Sequence, residues 1–201
     1  EIIDTHCKKS KYFYASIVKL KQEKTYMEQV WENTLQTENT DFNKVYRHKI
    51  KLVKENKLAE THFKILHGIL PCCVNLKKWR ISDCDKCSIC NGVENISHLI
   101  YECIYANCIW EKISDLIGLN ICLEDVIFGE RLNDEVNFIV SLITFIIYKD
   151  WLILSLEKKC RTGHMNINLL ISELKHRNNV YKNVNCMKKY VHAIEYIINQ
   201  L

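Results

Sequence analysis

Apolar residues recur along most of this chain three and four positions apart, which is the spacing of one face of an α-helix. The pattern predicts helices over residues 11–36, 42–58, 61–70, 74–80, 105–117, 134–158, 166–178 and 186–200. The chain has only 5 glycines and 1 proline, so few residues interrupt these helices. The expected fold class is therefore all-α.

The ends of several predicted helices carry capping signals. Thr40 or Asp41 is placed to cap the helix that begins at residue 42, and Asp134 is placed to cap the long apolar helix. Gly118 follows the helix over residues 105–117, where a left-handed C-cap is expected.

The most apolar segment, Val136–Leu156, raises the question of a membrane span. It contains Asn137, Lys149 and Asp150, and its uninterrupted apolar stretch is shorter than the roughly 20 residues that a span requires. We therefore expect a helix buried in the protein core and no membrane partner.

Positive charge is concentrated in one part of the chain. The formal net charge is +4, but residues 44–80 contain ten Lys/Arg against Glu55 and Glu60, so this segment carries +8 and the remainder −4. Such a patch can attract the phosphates of RNA or DNA. The simpler interpretation of a single charge run is a solvated helix face. The residues predicted to contact nucleic acid are Arg47, Lys49, Lys51, Lys54, Lys57, Lys64, Lys77, Lys78, Trp79 and Arg80.

Trp79 lies among three of these cations, immediately before a cysteine-rich segment. Its ring could stack on a base while Lys77, Lys78 and Arg80 contact phosphates. The alternative is that Trp79 fills the helical core while its charged neighbours face water.

The 11 cysteines of the chain indicate metal binding before disulfide bonds. The polar and basic segment Thr5–Lys11 has no apolar run behind it, so we expect no signal peptide and an intracellular location, nuclear or cytoplasmic. Disulfides are rare in reducing compartments, where clustered cysteines more often hold a metal. The chain begins at Glu1, and we expect it to be part of a larger protein.

Residues 87–103, CSICNGVENISHLIYEC, contain the pattern Cys87-x2-Cys90-x7-His98-x4-Cys103. A Cys-x2-Cys pair lets two sulfurs meet one ion, and a following helical segment can add a histidine and a third cysteine to complete a zinc tetrahedron. This set of four leaves no open coordination position, so the expected cofactor is a structural Zn²⁺ ion.

Two further cysteines are close enough in sequence to be rival ligands. Cys84 would form a second Cys-x2-Cys pair, and Cys108 lies just beyond the pattern.

The predicted architecture is a helical domain with a small CCHC zinc knuckle inserted between helices. It divides into a helical region with the basic patch (1–83), the zinc knuckle with the following helix (84–118) and a C-terminal helical region (119–201).

Several segments resemble the C-terminal region of non-LTR (LINE-type) retrotransposon reverse transcriptases. They are HFKILHGILPCCVNLKKWRISDCDKCSIC, ENISHLIYEC followed by Ile109-Trp110, and the later DVIFGE and IIYKDW. The resemblance covers roughly residues 30–160. It implies that Cys87, Cys90, His98 and Cys103 bind zinc.

The resemblance also implies a parent protein with an endonuclease and a reverse transcriptase upstream, for which this region helps to hold template RNA or target DNA. No Asp-Asp pair occurs here, although the family's polymerase requires one, and the only proline, Pro71, precedes the cysteine pattern. A related restriction-like nuclease begins with Pro-Asp after its knuckle. We therefore expect this segment not to be an enzyme. The alternative function is a structural or protein-interaction module that docks onto the polymerase or a host partner.

Overall fold

Helices dominate the part of the chain that the computed structural model describes, which is residues 24–51, 53, 55–156 and 167–201. In chain order they are α1 (Tyr26–Leu35), α2 (Phe42–Tyr46), a π-helical turn π1 (Arg47–Lys51), α3 (Asn56–Leu66), α4 (Cys73–Lys78), a second π-helical turn π2 (His98–Glu102), α5 (Ile104–Ile117), α6 (Leu123–Ile127), α7 (Asp134–Leu156), α8 (Ile167–Lys182), a 3₁₀ turn (Asn185–Met187) and α9 (Lys188–Gln200). The predicted all-α fold class is confirmed. The β pairing in these ranges is one isolated antiparallel bridge between Lys86 and Val93.

The prediction of one continuous helix over residues 42–58 is wrong. The chain forms α2, then the π1 turn, and begins a new helix, α3, at Asn56. A π turn inserts one residue into the helical repeat and rotates the side chains that follow it. In this turn the side chain of Lys49 points into the core, where it is 0% exposed. Residues 11–23 of the first predicted helix lie outside the described residues.

The caps agree with two of the three predictions. Asp41 accepts hydrogen bonds from the backbone N–H groups of Asn43 and Lys44 at the start of α2. Gly118 ends α5 in the left-handed conformation, with φ of 65°. At α7, however, it is Asn133 rather than Asp134 that accepts from a first-turn amide, because its side chain stands one residue before the helix.

α7 is the central helix of the fold. It packs against π1, α3, α6, π2, α8 and α9. By length and composition, the segment Asp134–Ser155 could also cross a membrane, with a mean hydropathy of 1.8. Its apolar window is nevertheless 67% buried by other helices, which agrees with the core helix predicted for this segment.

A set of polar contacts joins the C-terminal helices to the start of α3. Arg177 on α8 pairs with Glu55 at 2.9 Å and with Glu173 at 2.7 Å. Lys149 on α7 pairs with Glu173 at 2.5 Å, and Tyr181 donates a hydrogen bond to Glu55. Residues that are 122 and 126 positions apart in the sequence therefore meet. The buried apolar side chains form one core cluster that runs from α1 to α9.

Candidate metal centre

The four predicted ligands lie together. One ligand atom from each of Cys87, Cys90, His98 and Cys103 falls within 4.8 Å of all the others. The sulfurs of Cys87 and Cys103 are 3.7 Å apart, and the sulfur of Cys90 is 3.3 Å from Nε2 of His98. In a tetrahedral zinc site, bond lengths of about 2.0–2.3 Å place neighbouring ligand atoms roughly 3.5–3.8 Å apart. The cluster therefore has the dimensions to hold a metal ion.

The first two ligands are positioned by a tight turn. The Cys87 amide donates to the Gly92 carbonyl at 2.7 Å, and the Asn91 amide donates to the Cys87 carbonyl at 2.9 Å. Asn91 takes a positive φ of 59°, which asparagine tolerates better than most residues. The Ile89 amide also donates to the sulfur of Cys87 at 3.4 Å. The chain therefore turns directly after the first cysteine pair.

The other two ligands are brought together by the π2 turn. Here the Cys103 amide donates to the His98 carbonyl at 2.9 Å, a bond between residues five positions apart. Such bonding defines a π turn, whereas an α-helix joins residues four apart. The x4 spacing between the histidine and the last cysteine thus matches the winding. Asn95 fixes the start of the turn by accepting from the His98 amide at 2.7 Å.

The cysteine thiols of the site need a nearby cation in order to lose their protons. The hydrogen bond with Cys103, followed by burial, raises the pKa of Cys87 to about 12. Metals bind thiolates, so binding must displace the thiol protons. A bound cation supplies the charge that holds the sulfurs in their ionised form.

The rival ligands stand apart from this cluster. Cys84 and Cys108 are both exposed, and among the described residues the group of potential metal ligands contains neither. The sulfur of Cys84 instead accepts from the Lys86 amide at 3.4 Å. Cys7 and Cys160 lie outside the described residues.

Glu94 connects the loop that carries Cys87 and Cys90 (the ligand loop) to helices α4 and α7. The sequence did not predict this role. Its side chain is 1% exposed, and Oε1 accepts from Nε1 of Trp151 on α7 at 2.8 Å and from the Cys73 amide at 3.3 Å. Its carbonyl accepts from the Val74 amide at 3.1 Å. A glutamate in a polar loop gives no signal of burial, because its partners are distant in sequence.

Replacing Glu94 with alanine is expected to lower the free energy of unfolding by about 2–4 kcal/mol, because the buried indole N–H of Trp151 and the part-buried amide of Cys73 lose this acceptor. Urea unfolding followed by circular dichroism measures the change. Glu102→Ala is the matched control, since Glu102 is exposed in the same segment. Equal stability of the two variants would contradict the role given to Glu94.

The predicted basic contacts fall into two groups. Arg47, Lys57 and Lys64 belong to π1 and α3, which pack together. Lys57 and Lys64 both pair with Glu60, although Lys57 remains 73% exposed. Lys54 and the side chain of Lys51 lie outside the described residues.

The second group lies at the end of α4, beside the ligand loop. Lys77 pairs with Asp85 at 2.8 Å, while Lys78 and Arg80 are exposed. Trp79 is 41% exposed and does not fill the core, so the alternative interpretation of this side chain is wrong.

The predicted nucleic-acid contact of Lys49 is wrong. Its ammonium group is completely buried and donates to the Asp125 carbonyl at 2.9 Å, so no phosphate can reach it. A single continuous helix with a solvated basic face would place this lysine outside, but the π1 turn rotates it inward.

Among the described residues, the geometry thus defines a Cys₃His cluster that could hold a metal ion, in a loop that the Lys77–Asp85 pair joins to α4. Comparisons of the chain with protein-family models, with curated proteins and with solved structures give no match.

Proposed function

We propose that this chain is the nucleic-acid-binding C-terminal region of a non-LTR retrotransposon type of reverse transcriptase. In this proposal it holds template RNA or target DNA for an upstream polymerase of the same protein during target-primed reverse transcription. The single observation that carries the proposal is the clustering of the four ligand atoms in a loop that the Lys77–Asp85 pair joins to α4, at whose end Lys78 and Arg80 are exposed. The resemblance of the surrounding segments names the family.

The ion proposed for the cluster is Zn²⁺. Three thiolates and one imidazole form a soft, tetrahedral set of donors. Among the common divalent ions, zinc is the one that prefers such donors. All four positions are filled by Cys87, Cys90, His98 and Cys103, so no site remains for a reactive water. The role proposed for the ion is to organise the loop.

Charge reversal of three exposed cations, Lys57→Glu, Lys78→Glu and Arg80→Glu, is expected to weaken binding of RNA and duplex DNA at least tenfold at low salt. The reason is that phosphate neutralisation provides most of the sequence-independent affinity. Fluorescence anisotropy of labelled RNA and DNA across a salt series measures the effect.

The matched control reverses three exposed lysines outside the basic segment, with the same change in net charge. They are Lys112, Lys175 and Lys188. If both triple variants bind as tightly as the native chain, the basic residues do not hold phosphates. If the control weakens binding as much as the test variant, only net charge matters.

A second candidate function is docking onto the polymerase or a host protein. It is favoured by an apolar surface groove of about 360 Å³ between α5, α7 and α9. The groove is lined by Leu116, Ile117, Val136, Ile139, Ala193 and Tyr196. Salt dependence separates the two functions, because apolar docking lacks the steep negative slope of phosphate binding.

A further inference from the structure

We infer that the end of α4 selects unpaired nucleotides, with a base stacked on Trp79. The four residues concerned, Lys78, Trp79, Arg80 and Ile81, are called the α4 tip below. This inference rests on the proposed function and deepens it, since it names the form of nucleic acid that the site prefers.

The α4 tip exposes two large apolar side chains, and one of them is a tryptophan. Trp79 is 41% exposed and Ile81 is 70% exposed. The other tryptophans, Trp31, Trp110 and Trp151, are exposed by only 3%, 1% and 4%. Tryptophan is highly buried on average, and neighbouring exposed apolar groups mark a contact surface.

The α4 tip is held in place by its own backbone. The Trp79 amide donates to the Asn75 carbonyl at 2.9 Å, and the Ile81 amide donates to the Leu76 carbonyl at 2.9 Å. The Lys77–Asp85 pair closes the following loop. A surface ordered before binding loses less conformational entropy when its ligand arrives. The backbone that carries the exposed Trp79 ring is therefore ordered before a ligand binds, and the ring can serve as a stacking platform.

The charge around the platform suits phosphate. Residues 77–86 contain four cations and two carboxylates, a net charge of +2. One of the cations, Lys77, is engaged by Asp85. Lys78 and Arg80 precede and follow Trp79 in the chain and form no ion pair within the described ranges. An exposed aromatic ring with an available cation on either side of it in the sequence matches a nucleotide, which has a flat base beside an anionic phosphate.

An unpaired strand fits this surface better than a duplex. In the interior of a duplex both faces of each base are covered by its stacked neighbours, so a tryptophan ring can reach a base face only at the two ends. Aromatic platforms are therefore used for single strands, loops and ends, whose bases can splay out. The phosphates remain available to Lys78 and Arg80 in either form.

The experiment uses the fluorescence of Trp79 in the full zinc-loaded chain. Since the other three tryptophans are buried, quenching by a bound strand reports mainly on this ring. The probes are oligothymidine, oligouridine and a blunt duplex of oligothymidine with oligoadenosine. We expect quenching by both single strands and little change with the duplex.

Substitution completes the test. Trp79→Ala is expected to weaken single-strand binding roughly 5-fold to 150-fold, the usual range for loss of one stacked base, and to change duplex affinity less than about twofold. Trp79→Phe keeps a stacking face and should retain most of the affinity. Lys78→Ala with Arg80→Ala should instead reduce the salt slope by about 2 on either form.

Four results overturn the inference. Binding of single strands without quenching, or equal weakening of single-strand and duplex binding by Trp79→Ala, removes the stacking role while leaving the proposed function intact. Trp79-dependent binding of the polymerase domain, with native nucleic-acid affinity in Trp79→Ala, assigns the platform to a protein partner. Absence of binding to any probe removes the proposed function as well.

Discussion

Cys87→Ser and His98→Ala are each expected to unfold the segment from Lys86 to Cys103 and to destabilise the surrounding core. Zinc contributes about 10–16 kcal/mol to the folding of small zinc modules, whereas whole domains are stable by only about 5–15 kcal/mol. Cys87 and Cys103 are 2% and 1% exposed, so loss of the ion leaves its unligated thiols inside the core. The damage therefore extends beyond the loop.

The contacts of the metal ligands indicate which helix should lose its structure. Cys103 flanks the first residue of α5, and the preceding π2 turn carries the Ile100 carbonyl that accepts from Nε1 of Trp110 at 2.8 Å. The position of Cys103 and the hydrogen bond of Trp110 both depend on the π2 turn, which brings His98 close to Cys103. We expect the loss of helical circular dichroism to include α5.

The measurements are thermal unfolding with and without a chelator, and the amount of zinc released per chain on unfolding. Cys84→Ser and Cys108→Ser are matched controls, because both cysteines are exposed and stand outside the cluster. A chelator-treated chain with an unchanged spectrum and midpoint, or a control variant as unstable as Cys87→Ser, would contradict the assignment.

Lys49→Met is expected to stabilise the protein by about 1–4 kcal/mol at pH 7, the range in which an apolar residue replaces a buried charge. Burial lowers the pKa of Lys49 to about 7, against a small opposing effect of Asp125. At pH 7 the folded state must therefore bury a partly charged ammonium or release its proton. Methionine has a similar stem and carries no charge.

The direction of the pH dependence follows from the lowered pKa. An unfolded lysine titrates near pH 10.4, so between about pH 7 and pH 10 the unfolded state binds more protons than the folded state. The contribution of Lys49 to the free energy of unfolding therefore rises with pH in this window. Below about pH 7 both states carry the proton, and the contribution is constant and unfavourable.

Urea unfolding of the native chain and of Lys49→Met at pH 7 and pH 9.5 tests both statements. The stabilisation by methionine should shrink at the higher pH. Lys57→Met is the control, since Lys57 is 73% exposed and its replacement should leave stability nearly unchanged at both values. A Lys49→Met protein that is less stable than the native chain at both pH values would show that the hydrogen bond to Asp125 outweighs the burial of the charge.

The parts of this structure that sequence predicted are those fixed by local spacing. Helical periodicity located both ends of α5 and the start of α7 to within one residue, whereas the predicted end of α7 at residue 158 lies outside the described residues. Ligand spacing gave the cluster that could hold a metal. Residues closer than about twenty positions determine both features, so their pattern is visible without the fold.

The parts that sequence did not predict depend on distant partners. Lys49 faces inward, where its ammonium group donates a hydrogen bond to the Asp125 carbonyl, 76 positions away. Glu94 is buried because Trp151, 57 positions away, donates to it. Neither residue type favours burial, so only the assembled core shows why they lie there.

The contacts between Glu55 and the helix α8 also bear on the order in which the chain folds. The four metal ligands span only residues 87–103, whereas Arg177 and Tyr181 reach Glu55 across 122 and 126 positions. Closing a short loop loses less chain entropy than closing a long one, and local contacts form faster. During synthesis, the segment that carries the four predicted metal ligands is therefore complete well before α8 emerges and contacts the beginning of α3. In the proposed zinc-bound protein, the C-terminal helices would therefore add their contacts last, after the ion has organised the centre of the chain.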